Sequence, residues 1–143
     1  IYLATMAGQD LGIIFSRARV EGYRNFCNKL WNASRFALMN LADYEPDAYK
    51  AEFLDAGEAG LAKLSIADRW ILAGCVELAI DVDAHLKSWR LDLATHRLYQ
   101  FVWAELCDWY IELCKRDFRE GVDPQRRRAA QGTLATVLDV VLR

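Results

Sequence analysis

From Arg17 to Leu41 the chain returns to an apolar or small residue every three or four positions: Val20, Tyr23, Cys27, Leu30, Trp31, Ser34, Ala37, Leu38 and Leu41. That period predicts a long amphipathic helix, whose other face holds Arg17, Arg24, Asn28, Lys29, Asn32 and Arg35. Residues 1–7 read as the end of a preceding helix, closed by Gly8-Gln9-Asp10-Leu11-Gly12, and the segment through Ser16 reads as a connector. Ser65-Ile66-Ala67-Asp68 has the form of a capping box, in which the hydroxyl and the carboxylate each cover orphan backbone N–H groups. The helix it opens extends to about Lys87 with Trp70, Leu72, Val76, Leu78, Ala79 and Leu86 mostly inward. After a turn at Ser88–Leu91, Asp92 is expected to cap a longer helix through about Arg116. Its apolar positions include Ala94, Leu98, Phe101, Val102, Leu106, Trp109, Ile111 and Leu113. Asp123-Pro124 starts a last helix, with Asp at the N-cap and Pro at the first helical position. The tryptophans Trp31, Trp70, Trp103 and Trp109 all fit core positions on this pattern.

Composition narrows the fold to all-α. Ala and Leu together number 39 against 19 for Val, Ile and Thr, and the stretch from Cys75 to Glu120 holds neither Pro nor Gly, which favours helix over strand. With 143 residues, 54% of them apolar or aromatic, and a net charge of −2, the chain is suited to one well-packed core rather than disorder. Apolar runs stop at four residues, as in Phe101–Ala104, far below the ~18 that span a membrane. The opening Ile1–Met6 has no basic region of a signal peptide, and begins in mid-pattern, as a piece of a longer chain would. The cysteines Cys27, Cys75, Cys107 and Cys114 lack a C-x-x-C spacing and are expected to be reduced and buried in a cytoplasmic protein. Between Asp43 and Glu58 six acidic residues face a single base, Lys50; this reads as a short solvated helix or insertion.

Catalytic and metal chemistry find little support. There is no glycine-rich phosphate loop, and Asp81 and Asp83, two apart, point in different directions on a helix. His85 and His96 have no zinc-ligand spacing. Cys107 and Cys114 share a helical face, where core packing is the expected role. The first long helix is richer. Arg24, Asn28, Lys29, Asn32 and Arg35, with Phe36 beside the last Arg, offer what an unpaired RNA loop needs: cations for phosphates, polar groups for base edges and an aromatic for base faces. From Ile1 to Phe36 there are five basic and two acidic residues, although the whole chain is weakly acidic. The alternative is a helical protein-interaction bundle that docks through its acidic segment, Asp43–Glu58, and the Arg126-Arg127-Arg128 run.

The same helix carries a resemblance. Arg19-Val20-Glu21-Gly22-Tyr23-Arg24-Asn25-Phe26-Cys27-Asn28-Lys29-Leu30-Trp31-Asn32-Ala33-Ser34-Arg35-Phe36 resembles the signature helix that opens the anticodon-binding domain of bacterial-type valyl-tRNA synthetases. Leu64–Leu72 resembles the helix start after that family's variable insertion, Phe101–Leu113 its long-helix motif, and Thr133–Leu138 the start of its last bundle helix. These motifs agree in order and spacing over nearly the whole chain.

The resemblance implies an all-α bundle of the class Ia synthetase type. Residues 1–16 would be the end of a preceding helix and a connector, 17–143 the bundle cut within its last helix, and 43–64 the variable acidic insertion. It implies a monomeric, cytoplasmic module that reads the anticodon loop of valine tRNA and adjoins the catalytic domain of a parent ligase. ATP and magnesium would serve that parent, whose activation signatures are absent from this sequence; the module itself would hold no cofactor or metal and perform no catalysis. Lys29, Arg35 and Phe36 match anticodon-facing positions of the family, with Phe36 for stacking and the two cations for base edges or phosphates. Arg24 and Arg17 are backbone-contact candidates. Asn28 and Asn32 would touch either tRNA or neighbouring helix backbone. Thr95 and Leu98 would approach the loop across the bundle, unless Leu98 is simply core.

Overall fold

Ser16 starts the first long helix, its Oγ accepting the Arg19 N–H at 3.4 Å. The computed structural model describes residues 2–6 and 16–143; the expected connector therefore lies outside the described residues except for Ser16. Helix α1 (Tyr2–Met6) lies against α2 (Arg17–Asn40) and α6 (Leu91–Gln100). On α2 the buried residues are Phe26, Ala33 and Ala37, flanked by Leu30, Phe36 and Leu41. The expected row is thus corrected: Val20, Cys27, Trp31 and Leu38 face outward. The helix carries two apolar rows, and the neighbour sits on the one whose alanines let backbones approach closely.

The acidic segment is also more than wet surface. It forms α3 (Pro46–Tyr49), a π-helical turn (Lys50–Leu54) and α4 (Gly57–Leu61). Tyr49 and Phe53 pack with Leu64 and Ala129 into a small second core. Two of its six carboxylates turn to the start of α8 (Pro124–Leu142): Gln125 Nε2 and Arg128 Nε donate to the two oxygens of Glu52 at 2.6 and 3.1 Å. Asp43 Oδ1 accepts from Gln131 Nε2 at 2.7 Å and from Arg127 Nη2 at 3.4 Å. Tyr49 lies flat over Gly132, where a Cβ would overlap its ring.

The capping box opens α5 (Ile66–Lys87) as expected, with Ser65 Oγ accepting the Asp68 N–H and Asp68 Oδ2 accepting the Ser65 N–H, both at 3.0 Å. Its buried side is Ile71, Gly74, Cys75 and Leu78; Trp70, Val76, Ala79 and Leu86 face out, contrary to expectation. Asp68 is itself buried and accepts from Tyr110 Oη at 2.9 Å and Arg126 Nη1 at 3.1 Å.

The next long helix begins at Leu91, not with Asp92 as its cap; Asp92 instead accepts Arg90 Nε and Nη2 at 2.9 and 2.6 Å. After α6 the chain winds as a π-helix over Phe101–Tyr110, returns to α7 (Ile111–Cys114), and ends in a 3₁₀ turn, Lys115–Phe118. In the π stretch bonds run i→i+5, and burial follows that wider turn: Phe101/Val102, Leu106/Cys107, then Tyr110/Ile111. Trp109 and Leu113, inward on a 3.6-residue period, are therefore carried to the surface. The Asp123–Pro124 start of α8 is as expected, with the Asp123 carboxylate accepting from Gln125 and Arg126 N–H. Thr133–Leu138, expected at a helix start, lies inside α8 with Thr133, Leu134, Val137 and Leu138 buried.

Side-chain contacts set the helix directions. Tyr23 meets Tyr99, Lys29 meets Asp108 and Phe36 meets Phe118, so α2 and the α6–α7 helix run parallel. Asp81 pairs with Arg97 and Asp68 with Tyr110, so α5 runs the other way. Helix α8 runs alongside α5, with Arg126 at Asp68. No helix among the described residues is long and apolar enough to cross a membrane, and none of those residues is in a strand.

Candidate nucleic-acid interface

Parallel packing of α2 against the long helix leaves a groove between them. Its floor is Ala33, Cys107 and Ile111, and Phe36 forms one wall. Phe36 is half-buried and held edge-on by Phe118, with ring centroids 5.7 Å apart. Burial pushes the Cys107 thiol up to about 11, so this part of the floor is a neutral, protonated surface. Lys29, Asn32, Glu112 and Lys115 form the rim. The result is an apolar slot with polar edges, suited to a flat heteroaromatic ring.

Lys29 is fixed at that rim. Phe26, Tyr99 and Trp103 make a column of stacked rings, with centroids 4.7 and 5.6 Å apart, and Lys29 Nζ sits 4.0 Å from the Trp103 centroid. The same ammonium donates to Asp108. A cation on an aromatic face with a carboxylate beside it is oriented before any ligand arrives. Trp103 is thus the one expected core tryptophan that packs against the core; Trp31, Trp70 and Trp109 are exposed by 67, 40 and 62%.

The other expected contact residues fall elsewhere. Arg24, Asn28 and Arg35 lie on the outward face of α2 beside exposed Trp31, and neither Arg has an ion-pair partner among the described residues. Arg17 pairs with Glu21 at 3.5 Å. Asn28 and Asn32 are both exposed. Thr95 and Leu98 are not brought to the Phe36 end. Because the helices run parallel they lie beside the opposite end of α2; Leu98 lines an apolar cleft with Leu78, Val82 and Val141, and Thr95 Oγ1 donates to the Leu91 carbonyl at 2.7 Å.

The Arg126–Arg128 run is not a free docking surface, and it engages two carboxylates of the acidic segment. Arg127 and Arg128 pair with Asp43 and Glu52, while Arg126 bridges Asp68 and Asp117. Asp43 and Glu52 of the acidic segment are thus engaged within the chain, while Glu45, Asp47, Asp55 and Glu58 are exposed. Among the described residues no group of three His, Cys, Asp or Glu could hold a metal ion. Sequence reasoning missed Glu112 and Lys115 as groove residues; their spacing of three was the available signal.

Comparison with known proteins agrees with this architecture. Residues 68–143 match the family described as the anticodon-binding domain of tRNA ligase. The chain is 45% identical over 141 residues to a valine–tRNA ligase of Geobacter sulfurreducens, covering 99% of this chain and 15% of that protein. It is 43% identical over 141 residues to one of Syntrophotalea carbinolica, with the same coverage. Against that of Francisella tularensis the identity is 41%, over 97% of this chain and 14% of the relative. The chain thus spans about 15% of the length of the curated relatives it matches. Its helical architecture and its match over more than half its length lead to one assignment: the chain belongs to the anticodon-binding domains of the tRNA ligases.

Proposed function

We propose that this chain reads the anticodon loop of valine tRNA as one module of an ATP-dependent valine–tRNA ligase acting in the cytoplasm as a monomer. The observation that carries the reading is the groove: an apolar slot walled by Phe36 and rimmed by Lys29 and Asn32, on a helix similar to that of valine–tRNA ligases. Valine codons begin with G-U, so the anticodon ends in A-C. An unpaired base entering the slot gains ring contact with Phe36 and edge contacts from the rim. Arg24 and Arg35, outward on the same helix, meet backbone phosphate. ATP and magnesium belong to the activation step of the parent ligase, and no step of anticodon reading uses them.

Binding of the full-length protein to a valine anticodon stem-loop tests this, measured over a salt series beside a loop with the last two anticodon bases changed. Preference for the A-C loop, reduced by Phe36→Ala, is the expected result. Equal, steeply salt-dependent binding to both loops would mean phosphate attraction alone and would overturn base reading here.

A further inference from the structure

Resting on the anticodon reading above, we propose that Glu112 selects the base in the groove by demanding an exocyclic amino group on its edge. Two carboxylates stand near the slot. Asp108 is already bound by Lys29. Glu112, one helical turn further on, lines the groove itself. Its partner is Lys115, three residues away, at 2.5 Å, and both side chains are about half exposed. Such a surface pair is weak and is readily displaced by a ligand.

The rim therefore offers an acceptor, Glu112, next to donors, Lys115 on its own helix and Asn32 across the slot. Adenine and cytosine present the complement: an amino donor beside a ring-nitrogen acceptor. Uracil places a carbonyl oxygen where cytosine carries its amine, and that oxygen would face the carboxylate. A carboxylate cannot donate to it, so the contact becomes repulsive. Both bases that end a valine anticodon carry the amino group; a stacked base held against Phe36 brings that edge to the rim.

The test uses stem-loops that differ at one base: cytosine against uracil at the last anticodon position, and adenine against purine, which lacks the amine, at the middle one. The full-length protein, wild type and Glu112→Gln, is titrated with each. The wild type is expected to prefer the amino-bearing base by about tenfold at one of the two positions. Glu112→Gln, whose amide can donate as well as accept, is expected to bring that ratio near one. If the position is the cytosine, the loss should come partly from tighter binding of the uracil loop, which structural damage would not produce. Binding of the wild type with a base preference that Glu112→Gln leaves intact would overturn the role of Glu112 alone. Failure of the wild type to bind any loop would overturn the anticodon reading itself, and this role with it.

Discussion

Arg126 Nη1 donates to Asp68 Oδ2 across 3.1 Å, joining the first turn of α8 to the first turn of α5. Asp68 is 1% exposed and is also held by Ser65 and Tyr110, while the other arm of Arg126 reaches Asp117 Oδ2 at 2.7 Å. Removing one partner of a buried pair leaves an uncompensated charge. Arg126→Ala is expected to cost about 3 kcal/mol, read as a lowered midpoint in urea unfolding. An undiminished midpoint would show that water enters and solvates Asp68.

Two glycines should respond to alanine in opposite directions. At Gly132 a Cβ overlaps the buried Tyr49 ring, whereas at Gly22, also within a helix, it meets nothing within 4 Å. Gly132→Ala should destabilise by about 1–3 kcal/mol through overpacking. Gly22→Ala should stabilise by about 0.5–1 kcal/mol, from helix propensity. Thermal unfolding of the two variants beside wild type decides both.

Thiol reactivity should divide one against three. Cys27 is exposed; Cys75, Cys107 and Cys114 are buried. Burial raises all three buried thiols, Cys107 to about 11 and Cys114 to about 12. A chromogenic disulfide reagent at pH 8 should consume one thiol quickly in the native protein and the rest only after denaturant is added.

Asp92 should titrate low. Its two hydrogen bonds from Arg90 hold its carboxyl at about 2, below the ordinary 3.8. A depressed carboxylate contributes stability that is present above the ordinary value and is lost as pH falls toward 2. Carboxyl NMR should place the Asp92 midpoint near pH 2 in wild type, and Arg90→Gln should return it toward 3.8.

Arg24 and Arg35 should act on affinity without changing base preference. Each neutralised phosphate adds roughly 0.7 to the salt slope for a single strand. Replacing either Arg by Gln should flatten the slope by about that amount for both the A-C loop and its changed counterpart. A variant that instead changed the ratio between loops would place that Arg on a base edge.

The helical order, the capping box and the Asp-Pro start of α8 were legible because each is written within a few neighbouring residues. Which side of a helix turns inward was not. On α2 the row through Val20, Cys27, Trp31 and Leu38 is more hydrophobic than the row through Phe26, Ala33 and Ala37, yet the second is buried. Close approach of a neighbour favours small side chains, and that neighbour lies nearly eighty residues away, as Lys29 does from Asp108. The acidic count from Asp43 to Glu58 concealed Tyr49 and Phe53, four apart, which hold the small core. Lys29, Asn32 and Phe36 meet in the groove, while Arg24, Asn28 and Arg35 turn away from it. Spacing along one helix shows which residues are near, but the packed partner decides which share a pocket.

The π-helical stretch Phe101–Tyr110 works as a phase shifter. Everything after it is rotated relative to where an α-helix would carry it, including Tyr110 toward Asp68 and, just beyond, Glu112 toward the groove. Rewound as ordinary α-helix at its present length, the segment would turn further per residue, because i→i+4 bonds wind tighter than i→i+5. That would swing the buried hydrogen-bond network and the rim of the slot out of alignment together. The side of the bundle that gives stability and the side proposed to face RNA are geared to the same few turns.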